Sequence, residues 1–269
     1  MIRVPVANFA MLLGAAIWGQ AAQAGAFNPP AGEGIAILTG SFSDGRDFVD
    51  GAGRKFRSPA WRKFETQLHI EYGLTDWLTA VARPRVVSIH EGGRKGFRGE
   101  GVGASEVGLR ARIWQPGEWV FAVQALARAP AASAQGRFAQ WEDRGGVEAR
   151  MVVGRRFVVL GMSGFFDVQI GVRTRAGRAD ELIGEQTLGL RPTPSLLVMA
   201  QTFTTQSLES PKRLAARGAP LGAQRVKTQL SLLYDLAPRW SLGAAAFRTL
   251  AVRDGAKETG ASLSLLRRF

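Results

Sequence analysis

Two histidines, one acid-rich stretch and one run of alternating glycines are the places where this chain could do covalent or metal chemistry. His69 and His90 are its only imidazoles. A His that activates a Ser from the same strand needs the hydroxyl two positions away on the same face, with a third group to orient the ring. His69 is followed by Ile70 and Glu71, and His90 by Glu91 and Gly92, so neither supplies a following Ser. Ser88 precedes His90 on one face, in reverse order and without an orienting group. The pattern predicts structural histidines and no enzyme. Asp44, Asp47 and Asp50 could offer oxygens to calcium, but their spacing misses the EF-hand loop and Arg46, Arg54 and Lys55 oppose a cation there. Gly99, Gly101 and Gly103 lack the strand-to-helix context of a nucleotide loop and read as loop flexibility. With no cysteine, thiolate zinc and disulfides are excluded. No metal and no cofactor is expected.

What remains is charge laid out with a period of two. Phe64, Thr66, Leu68, Ile70 and Tyr72 alternate with Lys63, Glu65, Gln67, His69 and Glu71, so an extended strand has one apolar and one polar face. The unit recurs. Glu106, Arg110 and Arg112 oppose Val107, Leu109 and Ile113; Arg128 opposes Ala125 and Ala127; Glu148 and Arg150 oppose Val147 and Met151. Asp167, Arg173 and Arg175 oppose Phe166, Val168 and Ile170, and Lys227 opposes Val226 and Thr228. Gathered on one side of a sheet, these groups form a polar surface on which cations lead.

The elements that must carry them are strands at 34–42, 63–72, 77–89, 105–114, 119–129, 147–156, 165–175, 181–191, 196–206, 224–235, 240–250 and 260–269. They are about twelve in number, each near the length that crosses an outer membrane at a tilt. Their connections alternate between long polar loops and short turns, as in barrels with short periplasmic turns and longer outer loops. Pro84 marks a bulge or a change of register and leaves the direction of Arg83 and Arg85 open. The turn at 160–163 is less polar than the others.

Residues 1–24 carry Arg3, an apolar run from Ala10 to Trp18 and Ala22-Gln23-Ala24 before the cut, the pattern of a secretory signal peptide. The mature chain, 25–269, then reads as one all-β domain. No later run is apolar enough for a spanning helix, so a membrane could be crossed only by a closed barrel. Residues 25–33 read as an extended lead-in on the inner side. A net charge of +13 on an exported chain favours lipopolysaccharide phosphates or acidic solutes and makes nucleic acid a poor partner.

A soluble sandwich also pairs apolar with polar faces. Long strands, alternating loop lengths and aromatics beside the turns decide for a transmembrane antiparallel up-and-down β-barrel. Tyr72 and Trp77, Trp114 and Trp119, and Tyr234 and Trp240 flank three turns, as aromatic girdles do at the headgroup level. By parity Trp114 points with Arg110 and Arg112, toward the inner mouth.

Phe269, preceded at alternate positions by Leu265 and Leu263, resembles the closing strand read by the outer-membrane assembly machinery, with Arg267 a departure from the usual apolar residue. The stretches Glu71–Trp77, Gly103–Leu109 and Phe166–Arg173 are similar to a group of proteobacterial outer-membrane barrels of porin and transporter type, near the phenol-degradation meta-pathway porins. That resemblance covers most of the mature chain and implies an outer-membrane location and transport, with no catalytic signature. Lumen candidates are then Lys63, Glu65, His69, Glu71, Arg110, Arg112, Arg128, Glu148, Arg150, Asp167, Arg173, Arg175 and Lys227. They predict a narrow channel whose basic wall favours a small anionic solute. The competing expectations are a plugged barrel whose charges pair across strands and, less favoured, a lipid hydrolase.

Overall fold

The computed structural model describes residues 25–50, 52–92, 97–132, 145–176, 178–209, 224–253 and 255–269. The signal-peptide expectation, at 1–24, lies outside them. Among the described residues every element is a strand. They are β1 (Gly34–Val49), β2 (Lys55–Gly73), β3 (Leu78–Arg83), β4 (Arg85–Glu91), β5 (Phe97–Val102), β6 (Glu106–Trp114) and β7 (Trp119–Arg128). There follow β8 (Gly146–Val159), β9 (Met162–Arg173), β10 (Glu181–Thr193), β11 (Leu196–Ser207), β12 (Gln224–Ala237), β13 (Trp240–Arg253) and β14 (Gly255–Arg268). β2 pairs with both β3 and β4, while β4 pairs with β5 and β3 with β6, so β3 with β4 and β5 with β6 are each one stave interrupted midway. The fourteen segments thus make twelve staves, and β1 closes the ring by pairing with β14 on one side and β2 on the other.

The barrel is inside-out relative to a soluble protein. Leu109, Met151, Ile170, Leu230 and Leu263 are bare on the outer wall, at 47%, 63%, 53%, 58% and 66% exposure, whereas Arg110 and Glu148 are fully buried inside. Apolar area on this scale is stable only against lipid. A fourteen-residue strand such as β8 rises about 46 Å, or about 35 Å along the axis at a 40° tilt, enough for an apolar band about 25 Å tall.

Several strands outrun the sequence reading. Residues 43–49 and 55–60 continue β1 and β2, and 251–253 and 255–259 continue β13 and β14, because ladder hydrogen bonds persist into polar residues once the strands leave the membrane. The loop assigned to 90–104 holds β5. Pro84 interrupts the ladder but not the alternation: its carbonyl accepts from the Leu68 amide (3.0 Å), and Thr79, Val81, Val87 and Ile89 are all buried inside. Arg83 and Arg85 therefore also point inward. The apolar turn is a two-residue hairpin, with Leu160 (φ 50°) and Gly161 (φ 74°) both left-handed between paired Val159 and Met162.

One placement reverses an expectation and another refines one. A bulge between Arg112 and Trp114 turns Trp114 outward, where it is 61% exposed and stacks on Phe121 at 5.1 Å. It belongs to the girdle and does not plug the mouth. The lead-in lies on the inner side, as its sequence suggests, and goes further, into the barrel itself. Ala26 and Phe27, at 0% and 4% exposure, enter the inner mouth and join inward-facing Val120, Ala122, Val152, Phe165, Leu197, Leu233 and Leu266 in one apolar layer. Gly73 makes this possible: Gly32 donates to its carbonyl and its amide donates to Glu33 (both 2.9 Å), and a β-carbon there would collide with the Pro30 carbonyl.

Candidate functional site: the barrel lumen

Above the apolar layer the lumen divides into two walls. The wall from β2 to β10 is a ladder of ion pairs. Arg83 Nε donates to His69 Nδ1 (3.0 Å), which leaves Nε2 to donate to Glu71 (3.0 Å). Glu71 also accepts both terminal nitrogens of Arg110. Arg110 then reaches the lead-in, donating to Asn28 Oδ1 (3.0 Å) and the Phe27 carbonyl (3.5 Å). One fully buried arginine thus ties the lead-in to the wall. Glu106 pairs with Arg83 (3.3 Å) and Arg128 (3.2 Å). Glu148 pairs with Arg150 and Arg173, and Arg150 continues to Gln169 (2.9 Å) and Glu185 (3.1 Å). Glu181 pairs with Arg173 (3.4 Å) and Arg175 (2.8 Å), and Asp167 accepts from Gln169 (2.9 Å). Toward the outside Glu65 pairs with Lys63 (3.1 Å) and Arg85 (3.4 Å).

The opposite wall, β11 to β13, is sparser in charge. Gln229 donates to Gln201 (3.0 Å) and to the Ser231 hydroxyl (2.9 Å), an amide layer above the apolar one. Further out, the Lys227 ammonium lies over the rings of Phe203 and Phe247, 5.4 Å and 4.7 Å from their centres. Near the inner rim Asp235 holds Arg191 (2.9 Å) and Arg268 (3.2 Å).

The structure brings together Lys63 with Glu65, His69 with Glu71 and Arg110, and Glu148 with Arg150 and Arg173. Arg112 stands near the inner mouth, half-buried, and neither it nor Lys227 has an acidic partner within ion-pair distance among the described residues. Charges that alternation alone makes a bare basic wall are therefore mostly paired across strands. Asn28, Arg83, Arg85, Glu181, Glu185, Phe203 and Phe247 join the lumen as well. Parity assigns the strand residues among them to the inside, but the partnerships require the register. Ser88 and His90 lie on the outward side of β4, since Val87 and Ile89 are buried inside. In the outer loop Asp50 accepts from the Arg54 amide (2.8 Å) and side chain (2.8 Å), which holds its carboxyl below the usual carboxylate range.

At the inner rim the girdle is continuous with the seam. Phe269 donates its amide to the Gly34 carbonyl (3.0 Å) and accepts from the Gly34 amide (2.7 Å), while its ring stacks on Tyr72 at 6.4 Å. Trp119 meets Phe121 and Phe166, and Arg155 covers its face at 5.1 Å. Arg267 points outward over the Trp240 ring (5.4 Å), where a long cationic side chain can reach the headgroups.

No protein-family model matches the sequence, nor does any curated protein. Solved structures do. An outer membrane channel from Pseudomonas putida F1 superposes with a TM-score of 0.67 over 92% of this chain and 99% of that one, at 14% identity. The NanC porin gives 0.54 over 86% and 98%, at 10% identity. The translocator domain of the autotransporter NalP from Neisseria meningitidis gives 0.50 over 88% and 89%, at 11% identity. These three proteins share a wall architecture across different tasks, so the likeness bears on fold. With its apolar outer belt, aromatic rim and closed twelve-stave ring, the chain is an outer-membrane β-barrel, of the fold shared by channels and porins.

Proposed function

We propose that the protein is a narrow passive channel for small solutes, with a preference for anions. One observation carries the preference: apart from Asp167, which accepts from Gln169, the acids of the lumen are taken up by arginines and lysines, and cations are left over among the described residues at Arg112, Arg156 and Lys227. Fixed surplus charge along a confined, poorly hydrated path raises the local concentration of its counterion and lowers that of its co-ion. The paired ladder contributes little net field, so the surplus groups set the selectivity. Replacing Arg112 with Ser and Lys227 with Met in one protein should move the reversal potential in a salt gradient toward the cation value. An unchanged reversal potential would remove the assignment.

A second reading is favoured by a separate observation, the apolar layer formed by Phe27 and the inward-facing residues of the inner mouth. A barrel kept shut by its own lead-in would insert and resist denaturation but carry no current until that segment withdraws. Conductance of the intact chain separates the two.

A further inference from the structure

We propose that the outer half of the lumen holds a binding site for a small organic monoanion with an apolar body, centred on Lys227 and walled by Phe203 and Phe247. This deepens the channel reading above by naming the class of solute, and it rests on that reading only for the path by which the solute arrives.

The site is defined by what Lys227 lacks. Lys63, Glu258, Arg225 and Glu65 are the charged groups that act on it most strongly. Glu65 is held by Lys63 (3.1 Å) and Arg85 (3.4 Å), and Glu258 by Arg225 (3.7 Å). Both acids are engaged, and three cations besides Lys227 stand around them. An ammonium has three donors and no acceptor. Ring faces can balance part of its charge by cation–π attraction but cannot accept its hydrogen bonds as an oxygen does. The group therefore has unused capacity for an anionic acceptor, in a locality of net positive charge.

The same residues provide for the rest of the ligand. Phe203 sits directly opposite Lys227 across the β11–β12 ladder, and Phe247 projects inward from β13 over Gly260, where a β-carbon would collide with its ring. Lys227 and both phenylalanines are only half-buried, so they border open lumen and are not sealed in a core. Phenyl edges carry partial positive charge and suit carboxylate oxygens, while the faces suit an apolar body. The level continues around the seam, since Gly260 is opposite Ser43 and Ser43 is opposite Lys63. Ser43 faces inward at 2% exposure, and its hydroxyl has no hydrogen-bond partner among the described residues. Lys227 lies six positions from Leu233 of the apolar layer, about 20 Å along the strand, so the site is separate from the layer that the lead-in joins.

Benzoate and benzylammonium, which match in size and differ in sign, are the probes. Titration calorimetry on the folded barrel in detergent should show saturable benzoate binding, no benzylammonium binding, and at least about a tenfold loss of benzoate affinity in Lys227→Met. Phe247→Leu should weaken benzoate more than acetate. Heat-modifiable migration of each variant verifies that the barrel has formed. Equal affinity of wild type and Lys227→Met for benzoate, equal binding of the two probes, or no benzoate heat would overturn the site. Because the assay requires no current, benzoate binding by a non-conducting barrel would leave the site standing and remove the channel reading. A chloride-selective current from a barrel without benzoate heat would do the reverse.

Discussion

Replacing Phe27 with Ala should open the inner mouth without unfolding the wall. The ring is 4% exposed, meets Phe165 edge-on at 6.2 Å, and has the Arg156 guanidinium 4.5 Å from its centre. Truncating a buried Phe to Ala costs about 3–5 kcal/mol. The ladders of the twelve staves do not pass through Phe27, so the loss falls on docking of the lead-in and not on the sheet. About 4 kcal/mol shifts the ratio of docked to withdrawn segment about a thousandfold. The remaining anchors, Arg110 to Asn28 and Glu33 to Gly73, are untouched by the substitution. Single-channel recording should then show a conductance level larger than that of the wild type and occupied for most of the trace, whereas Phe27→Leu, which keeps most of the apolar contact, should stay near wild type. Identical conductance levels and dwell times in Phe27→Ala and wild type, with both proteins heat-modifiable, would refute the view that this ring narrows the mouth.

Three other outcomes follow from the same geometry. Arg110→Met leaves Glu71 buried without its guanidinium partner and should cost about 3–5 kcal/mol, while Arg110→Met with Glu71→Met should recover much of it; denaturant midpoints of the single and double variants test the sign of the coupling, and equal midpoints would show the pair to be inert. A variant keeping Trp114 as its only tryptophan should be quenched by brominated lipid, since the bulge at Arg112 turns the ring outward; fluorescence that ignores the lipid would return the ring to the lumen. Deleting Phe269 removes two backbone hydrogen bonds to Gly34 and the stack on Tyr72, so material should accumulate unassembled in the periplasm; normal heat-modifiable migration of the shortened chain would argue against a role for the terminal ring.

The wall was legible because each stave carries its own evidence. In β2 ten residues alternate without a break, and this fixes a face for every side chain before any partner is known. What could not be read depended on neighbours or on breaks in the period. Phe27 is one apolar ring in a Pro- and Gly-rich lead-in, with no alternation to say that it is buried. The bulge before Trp114 reverses its direction without a Gly or Pro to announce it. Leu160 occupies a left-handed turn position that usually falls to Asn or Gly, so the shortest hairpin looked the least like one. Lys227 was recognisable as inward, but Phe203 and Phe247 come from two other staves, and only the register brings them to it. The pairing of Glu71 with Arg110 spans 39 positions, beyond what spacing can reveal.

Whether this barrel conducts and prefers anions is decided by current through the purified, refolded protein in a planar bilayer under a potassium chloride gradient. Discrete steps with a reversal potential displaced toward chloride are predicted. A reversal potential displaced toward potassium, or a correctly inserted barrel that carries no current, would rule out an anion-preferring channel.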